Sequence, residues 1–155
     1  MKFFLTSSVG TGGTSLTSFD NALYKSGIAN YNLVKISSIL PASSILAKHI
    51  TIKEGSILYT AYASLTTKEQ KQVAAAVAVG IPEDETKIGV IMEYSGYCNK
   101  ITAEKMVRAM VKESMGFRGY KIKEILSEAA EATNDGNQYI TVLAALPLWN
   151  DVDER

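Results

Sequence analysis

Val73-Ala74-Ala75-Ala76-Val77-Ala78-Val79-Gly80-Ile81-Pro82 is the stretch on which the fold turns. It is rich in alanine, a helix former, yet interleaved with valine, a strand former, so propensity alone leaves it open. The Val-Ala alternation and the Gly80-Ile81-Pro82 ending favour a strand. It is also far below the ~20 apolar residues that cross a bilayer. Outward from this strand, Ser56 to Leu65 alternates and is rich in Tyr, Ile and Thr, and Lys87 to Tyr94 is an apolar run. Phe3 to Ser8, Asn30 to Ile36 and Tyr139 to Leu146 read as further strands, the last closing at Pro147 and Trp149. Leu40 precedes Pro41, which directs it to an extended or turn conformation.

Two segments read as helices. Thr17 or Ser18 is placed to cap the first, with Asp20 in its first turn at the positive end of the dipole. Phe19, Ala22 and Leu23 share its inner face, and Gly27 stops it. The second runs from Thr102, as cap, to Met115, with Ala103, Met106, Val107, Met110 and Val111 on one stripe, and Gly116 and Gly119 end it. Strands dominate and two helices flank them, which gives a layered α+β sandwich. One segment is read against its own pattern: Ile122, Ile125, Leu126, Ala129 and Ala130 fit helical spacing.

Composition excludes several function classes. The 155 residues suit one domain, 1–155, with its own core. Hydrophobic residues make up 46% and charged residues 21%, the balance of a soluble globular protein. Lys+Arg and Asp+Glu are equal at 16 each, so no basic excess exists to track nucleic acid. Phe3-Phe4-Leu5 falls short of the roughly 7–15-residue apolar core of a signal peptide, and a cytoplasmic protein away from membranes is expected. Cys98 is the sole cysteine, so neither an internal disulfide nor a thiolate metal cluster can form. Gly10-Thr11-Gly12-Gly13-Thr14 lacks the lysine of a Walker loop and the spacing of a dinucleotide fingerprint, so it reads as a loop. His49, the sole histidine, has no evident serine–acid partnership for hydrolase chemistry.

Chemistry concentrates elsewhere. Asn32-Leu33-Val34-Lys35-Ile36-Ser37-Ser38-Ile39-Leu40-Pro41 is a β-branched strand running into two serines, two bulky apolar residues and a proline. Val90-Ile91-Met92-Glu93-Tyr94-Ser95-Gly96 places one carboxylate, Glu93, inside an apolar strand: turned inward, desolvation would raise its pKa, and turned outward it is an ordinary edge residue. With Ser18-Phe19-Asp20-Asn21-Ala22-Leu23 and Gly27-Ile28-Ala29-Asn30-Tyr31-Asn32, these segments resemble the pyruvoyl-dependent arginine decarboxylases from about Leu5 to Trp149. The chain departs from that pattern at Pro41-Ala42, where a second proline is frequent, and at Ser95-Gly96, where an acidic residue is common.

The resemblance implies a four-layer αββα sandwich, a strand at 122–130, and a homotrimer with active sites between subunits. It implies self-cleavage between Ser37 and Ser38. The Ser38 hydroxyl attacks the Ser37 carbonyl, the amide becomes an ester, β-elimination frees Ser37, and loss of ammonia leaves a pyruvoyl group at 38. A bond held in a tight, strained turn would favour this, since such turns store about 1–3 kcal/mol. The covalent pyruvoyl group then forms a Schiff base with arginine and accepts electrons as carbon dioxide leaves, yielding agmatine; the same sink logic serves pyridoxal phosphate, which is not needed here, nor is a metal.

By the same resemblance Glu93 is the proton donor, Asn32 supports cleavage by hydrogen-bonding the oxyanion at Ser37, and Asp20 grips the substrate guanidinium. Asn32 lies six residues before Ser38, on the same face if the strand is regular throughout. Asp20 suits a guanidinium through two parallel hydrogen bonds, but equally suits helix capping. The alternatives are the same chemistry on another basic or polar amino acid, such as lysine or ornithine, and an unprocessed relative with a structural or regulatory role.

Overall fold

The computed structural model describes residues 1–151, and the alanine-rich run lies in a strand of eleven residues, β7 (Gln72–Pro82). Residues Val73 through Val79 are wholly buried on both faces of it. That explains the composition: a strand covered on two sides needs small apolar residues at every position, not only at alternate ones. In chain order the other elements are β1 (Lys2–Phe3), β2 (Thr6–Gly12), α1 (Ser15–Lys25), β3 (Asn32–Lys35), β4 (Ile39–Leu40), β5 (Ile45–Leu46), β6 (Ile57–Thr67), β8 (Gly89–Gly96), α2 (Lys100–Phe117), β9 (Ile122–Thr133) and β10 (Tyr139–Trp149).

Two sheets stack. One follows the order β3-β6-β10-β1-β5, with β2 also on β10, and the other follows β4-β8-β7-β9. Val73, Ala75, Val77 and Val79 meet Ala61, Val142, Ala144 and Leu146 between the sheets. On the far side of the first sheet, Ala22 of α1 packs with Leu143, Ala145 and Trp149. On the far side of the second, Ala103, Val107, Val111 and Met115 of α2 pack on Ala74, Ala76 and Ala78. The layers therefore run helix, sheet, sheet, helix: an α+β sandwich.

The ambiguous segment is a strand, and its spacing has a cause. Leu126 and Ala132 of β9 point between the sheets, while Ile122, Ile125 and Ala129 point to α2. With both faces covered, apolar residues of both parities appear and imitate a helical stripe. Gly80 lets α2 approach, because a Cβ there would stand 2.5 Å from Val111 Cγ1. The packed stripe of α2 is i, i+4 from Ala103 to Met115, so Met106, expected inside, is 42% exposed. Its cap is Asn99, whose Oδ1 accepts from the Thr102 N–H at 2.8 Å; Thr102 is the third helical residue. The helix also runs through Gly116 to Phe117, and Gly119 takes the left-handed turn after it at φ 64°.

The first three residues of the glycine-rich segment are not a loop; Gly13 and Thr14 alone form the bend into α1. Gly10, Thr11 and Gly12 extend β2, pairing with Thr141, Ile140 and Tyr139. A Cβ on Gly10 would lie 2.3 Å from the Ala22 nitrogen and the Ser18 carbonyl, so glycine lets α1 rest directly on the strand. Thr14 caps α1 through a reciprocal bond with Thr17, earlier than expected, which moves Asp20 out of the first turn. Ser18 is buried and bonds Thr141 Oγ1 at 2.7 Å. Asn21 Oδ1 accepts from the Thr11 N–H and Lys25 donates to the Val9 carbonyl, so α1 satisfies the free edge of β2.

Candidate active site

Between Lys35 and Ile39 the chain leaves the first sheet and enters the second, and Ser37-Ser38 is the crossing. The Ile36 N–H still bonds the Thr60 carbonyl, continuing the β3–β6 ladder. Beyond it the Ile39 N–H donates back to the Ser37 carbonyl at 2.9 Å, closing a three-residue turn centred on Ser38. The Ser38 carbonyl accepts from the Ile91 N–H at 2.9 Å, which locks the turn to β8. Neither serine has left-handed backbone; among the described residues Ser43, at φ 56°, is the one non-glycine that does. The expected distortion is thus a hydrogen-bonded tight turn, without left-handed strain.

Glu93 pairs with Val77 across β7–β8, and Val77 points between the sheets. Glu93 shares that orientation, facing the other sheet rather than solvent beyond the edge. β4 pairs only with Val90 and Gly89 of β8, and the Ile91 N–H bonds the Ser38 carbonyl beyond it, so the carboxylate of Glu93 stands past the end of β4, where the sandwich is open. There the Ser38 hydroxyl donates to Glu93 Oε2 at 3.3 Å. Ser95, on the same face, bonds the Ser64 carbonyl and ties the two sheets together next to the site.

Burial raises the Glu93 pKa, while the Ser38 hydrogen bond and the Lys35 charge pull it partly back. The folded protein then holds this proton more tightly than the unfolded chain. Stability accordingly falls as pH rises through the window from the ordinary carboxylate range up to the raised value. The effect is isolated by comparing Ser38→Ala with Ser38→Ala/Glu93→Gln, neither of which has the Ser38 hydroxyl. As pH rises above the ordinary carboxylate range the double variant should gain in denaturation midpoint relative to the single one, since glutamine carries no charge to bury. A gap that stays constant or reverses would show that burial does not govern this carboxyl.

The other expected residues lie apart from this pair. Asn32 is exposed, and its Nδ2 donates to the Gly55 carbonyl at 2.8 Å. The same-face argument fails because the strand is not regular to Ser38: β3 stops at Lys35 and the chain changes sheets. Asp20 sits on the outer face of α1 one turn from Leu16 and one from Tyr24, which are 74% and 71% exposed, and its carboxylate has no hydrogen bond or ion pair among the described residues. His49 is exposed with no hydrogen bond among the described residues, and Ser38 is bonded to Glu93 instead. Tyr94 packs toward α2, whereas Tyr97 is exposed under the Lys71 ammonium. A cavity of about 330 Å³ bordered by Leu40, Pro41, Ile81 and Leu126 lies beside β4, not over Ser38 and Glu93.

Three groups at the site escape a residue-type reading. Lys35 reaches Glu93 electrostatically and holds its Nζ 4.7 Å from the Tyr62 ring centre. It is the sole charged residue between Asn32 and Pro41, which is the signal that could have marked it. The Ile39 and Ile91 N–H groups are backbone, and nothing in their side chains announces them.

This geometry has relatives. The family model described as pyruvoyl-dependent arginine decarboxylase matches residues 2–153. A protein of that name from Pyrococcus abyssi is 45% identical over 137 residues, covering 85% of each chain. One from Thermococcus sibiricus is 42% identical over 152 residues, covering 95% of this chain and 94% of its own. One from Methanocaldococcus jannaschii is 38% identical over 139 residues, covering 89% and 83% respectively. A match that takes in both the serine crossing and the carboxylate opposite it, at this identity and coverage, makes the chain a member of the pyruvoyl-dependent arginine decarboxylase family.

Proposed function

We propose that this chain cuts itself between Ser37 and Ser38, carries a pyruvoyl group made from Ser38, and decarboxylates L-arginine to agmatine and carbon dioxide. The observation that carries the reading is the Ser38 hydroxyl bonded to the half-buried Glu93 carboxylate at an open sheet edge. The residues present fit the group: a serine on a tight turn to supply it, and a carboxyl of raised pKa beside it. The pyruvoyl ketone supplies an electron sink for the bond to the departing carboxylate once it has condensed with the substrate amine. Glu93 returns a proton to the carbon that loses carbon dioxide. Neither pyridoxal phosphate nor a metal enters this chemistry.

Asp20 takes the guanidinium, and it does so across a subunit boundary in a homotrimer. Two features favour this arrangement. Asp20 is exposed and unpaired among the described residues, between the bare side chains of Leu16 and Tyr24. Next to Ser38, Val34, Ile57 and Tyr59 form a shared apolar face through the register Val34↔Tyr59 and Asn32↔Ile57, with Ile57 59% and Tyr59 46% exposed. A neighbouring copy would cover such a face. Asn32 lies on it too and assists cleavage once its amide exchanges Gly55 for the Ser37 oxygen.

The test is carbon dioxide release from arginine, lysine and ornithine by the cleaved protein and by Asp20→Asn. Arginine should be the preferred substrate of the unaltered chain. Asp20→Asn should still cleave but bind arginine about 2–5 kcal/mol more weakly, the usual cost of removing one partner from a desolvated pair. Preference for lysine or ornithine would reassign the substrate. Unchanged arginine kinetics in cleaved Asp20→Asn would leave that residue no part in recognition.

A further inference from the structure

We propose that the Ile39 backbone N–H is a built-in oxyanion donor for chain cleavage, holding the Ser37 carbonyl oxygen as negative charge develops on it. This rests on reading Ser38 as the attacking residue. The donor is already placed: its nitrogen stands 2.9 Å from the Ser37 oxygen. Measured to the ground-state carbonyl oxygen, this is close to the 2.7–3.1 Å (about 3 Å) that separates an oxyanion from its donors.

The sheet leaves this N–H free for the task. Ile39 opposes Val90 in the β4–β8 ladder, and the ladder bond beside it runs from the Ile91 N–H to the Ser38 carbonyl. In an antiparallel pair, a residue flanked by ladder bonds directs its own N–H away from the partner strand. Here it turns back onto Ser37. The amide of Asn32, the side chain otherwise suited to the role, is engaged with Gly55. The turn therefore carries one donor already bonded to the Ser37 oxygen, and Asn32 would be a second, recruited one.

The first step then balances within the chain. The Ser38 Oγ–Ser37 C bond forms, and the hydroxyl proton passes to the Glu93 carboxylate, to which it is already bonded. The carbonyl π pair moves onto the Ser37 oxygen facing the Ile39 N–H. When that pair returns, the Ser37 C–Ser38 N bond breaks and Glu93 hands the proton to the nitrogen. The product is the ester from which elimination proceeds, and no external reactant is consumed.

The decisive variant replaces Ile39 by its α-hydroxy acid, which exchanges the N–H for an ester oxygen and keeps the side chain. Uncut chain is followed with time by intact mass. The Ile39 ester should slow cleavage about 10²–10³-fold, the usual loss on removing one oxyanion donor. The same replacement at Ile91 removes the bond that holds the Ser38 carbonyl and should slow it far less. Cleavage by the Ile39 ester at the rate of the unaltered chain overturns the proposal, as does an equal loss at Ile91. Should the ester chain not fold, Ile39→Pro, lacking the N–H, is compared with Ile39→Ala, which keeps it: Ala should cleave and Pro should not, and equal cleavage overturns the proposal. An unaltered chain that never cuts removes the Ser38 reading itself, an outcome distinct from all of these.

Discussion

Ser38→Ala should remain a single uncut chain and release no carbon dioxide from arginine. The reason is stoichiometric rather than energetic: alanine offers no oxygen to attack the Ser37 carbonyl, and no β-hydroxyl to become a leaving group. Folding should be almost untouched, because the Ser38 side chain makes one hydrogen bond at an open edge, while the Ser38 carbonyl keeps its bond from Ile91. The variant thus separates processing from stability. Ser37→Ala is its counterpart. Position 37 supplies a carbonyl and not a hydroxyl, so the chemistry permits cleavage there, and loss of cutting in both variants would point to a role for the Ser37 side chain. Intact mass and carbon dioxide release together read the result.

Glu93→Gln is the second large effect. Glutamine keeps the shape of the side chain and can still accept the Ser38 hydroxyl proton as a hydrogen bond, but it cannot take or give a proton. General acid–base groups contribute roughly 10²–10⁴-fold, and turnover per pyruvoyl group should fall by that amount. Because Glu93 also stands where the Ser38 proton must go, cutting should slow as well, so the cut fraction is measured beside turnover. Near-normal turnover per pyruvoyl group would remove Glu93 from the proton path. Lys35→Met offers a graded contrast: it removes the positive charge that lowers the Glu93 pKa, so the pH at which Glu93 becomes ionised should move upward.

Much of the fold could be read before any coordinates because its strands carry strong local signals. Tyr139–Trp149 and Ile57–Thr67 are long, apolar and bounded by turn residues, and both are where the pattern places them. The failures share one cause, namely that a residue's neighbours in space decide its role. β9 imitates a helix because two layers press on it. Gly10 and Gly12 look like a loop because glycine marks turns, yet here the missing Cβ makes room for α1. Asp20 looks like a first-turn residue until Thr14 and Thr17 start the helix earlier.

The site divides the same way. Ser38 and Glu93 are legible because each is chemically conspicuous in its own stretch, a hydroxyl on a turn and a lone carboxylate in an apolar strand. The same-face placement of Asn32 fails because period-two reasoning assumes one strand, and the chain changes sheets after Lys35. The Ile39 N–H could not be seen at all, since every residue but proline has one and only the turn decides where it points.

The most direct measurement is the intact mass of the purified, unaltered chain under denaturing conditions. Two species should appear, one ending at Ser37 and one beginning at position 38. Their masses should add up to the whole chain plus one water minus one ammonia, the signature of ester formation, elimination and loss of the amine. A single uncut mass would contradict self-cleavage. Two masses summing to the whole chain plus one water would mean ordinary hydrolysis with Ser38 left as serine, and that would contradict the pyruvoyl group.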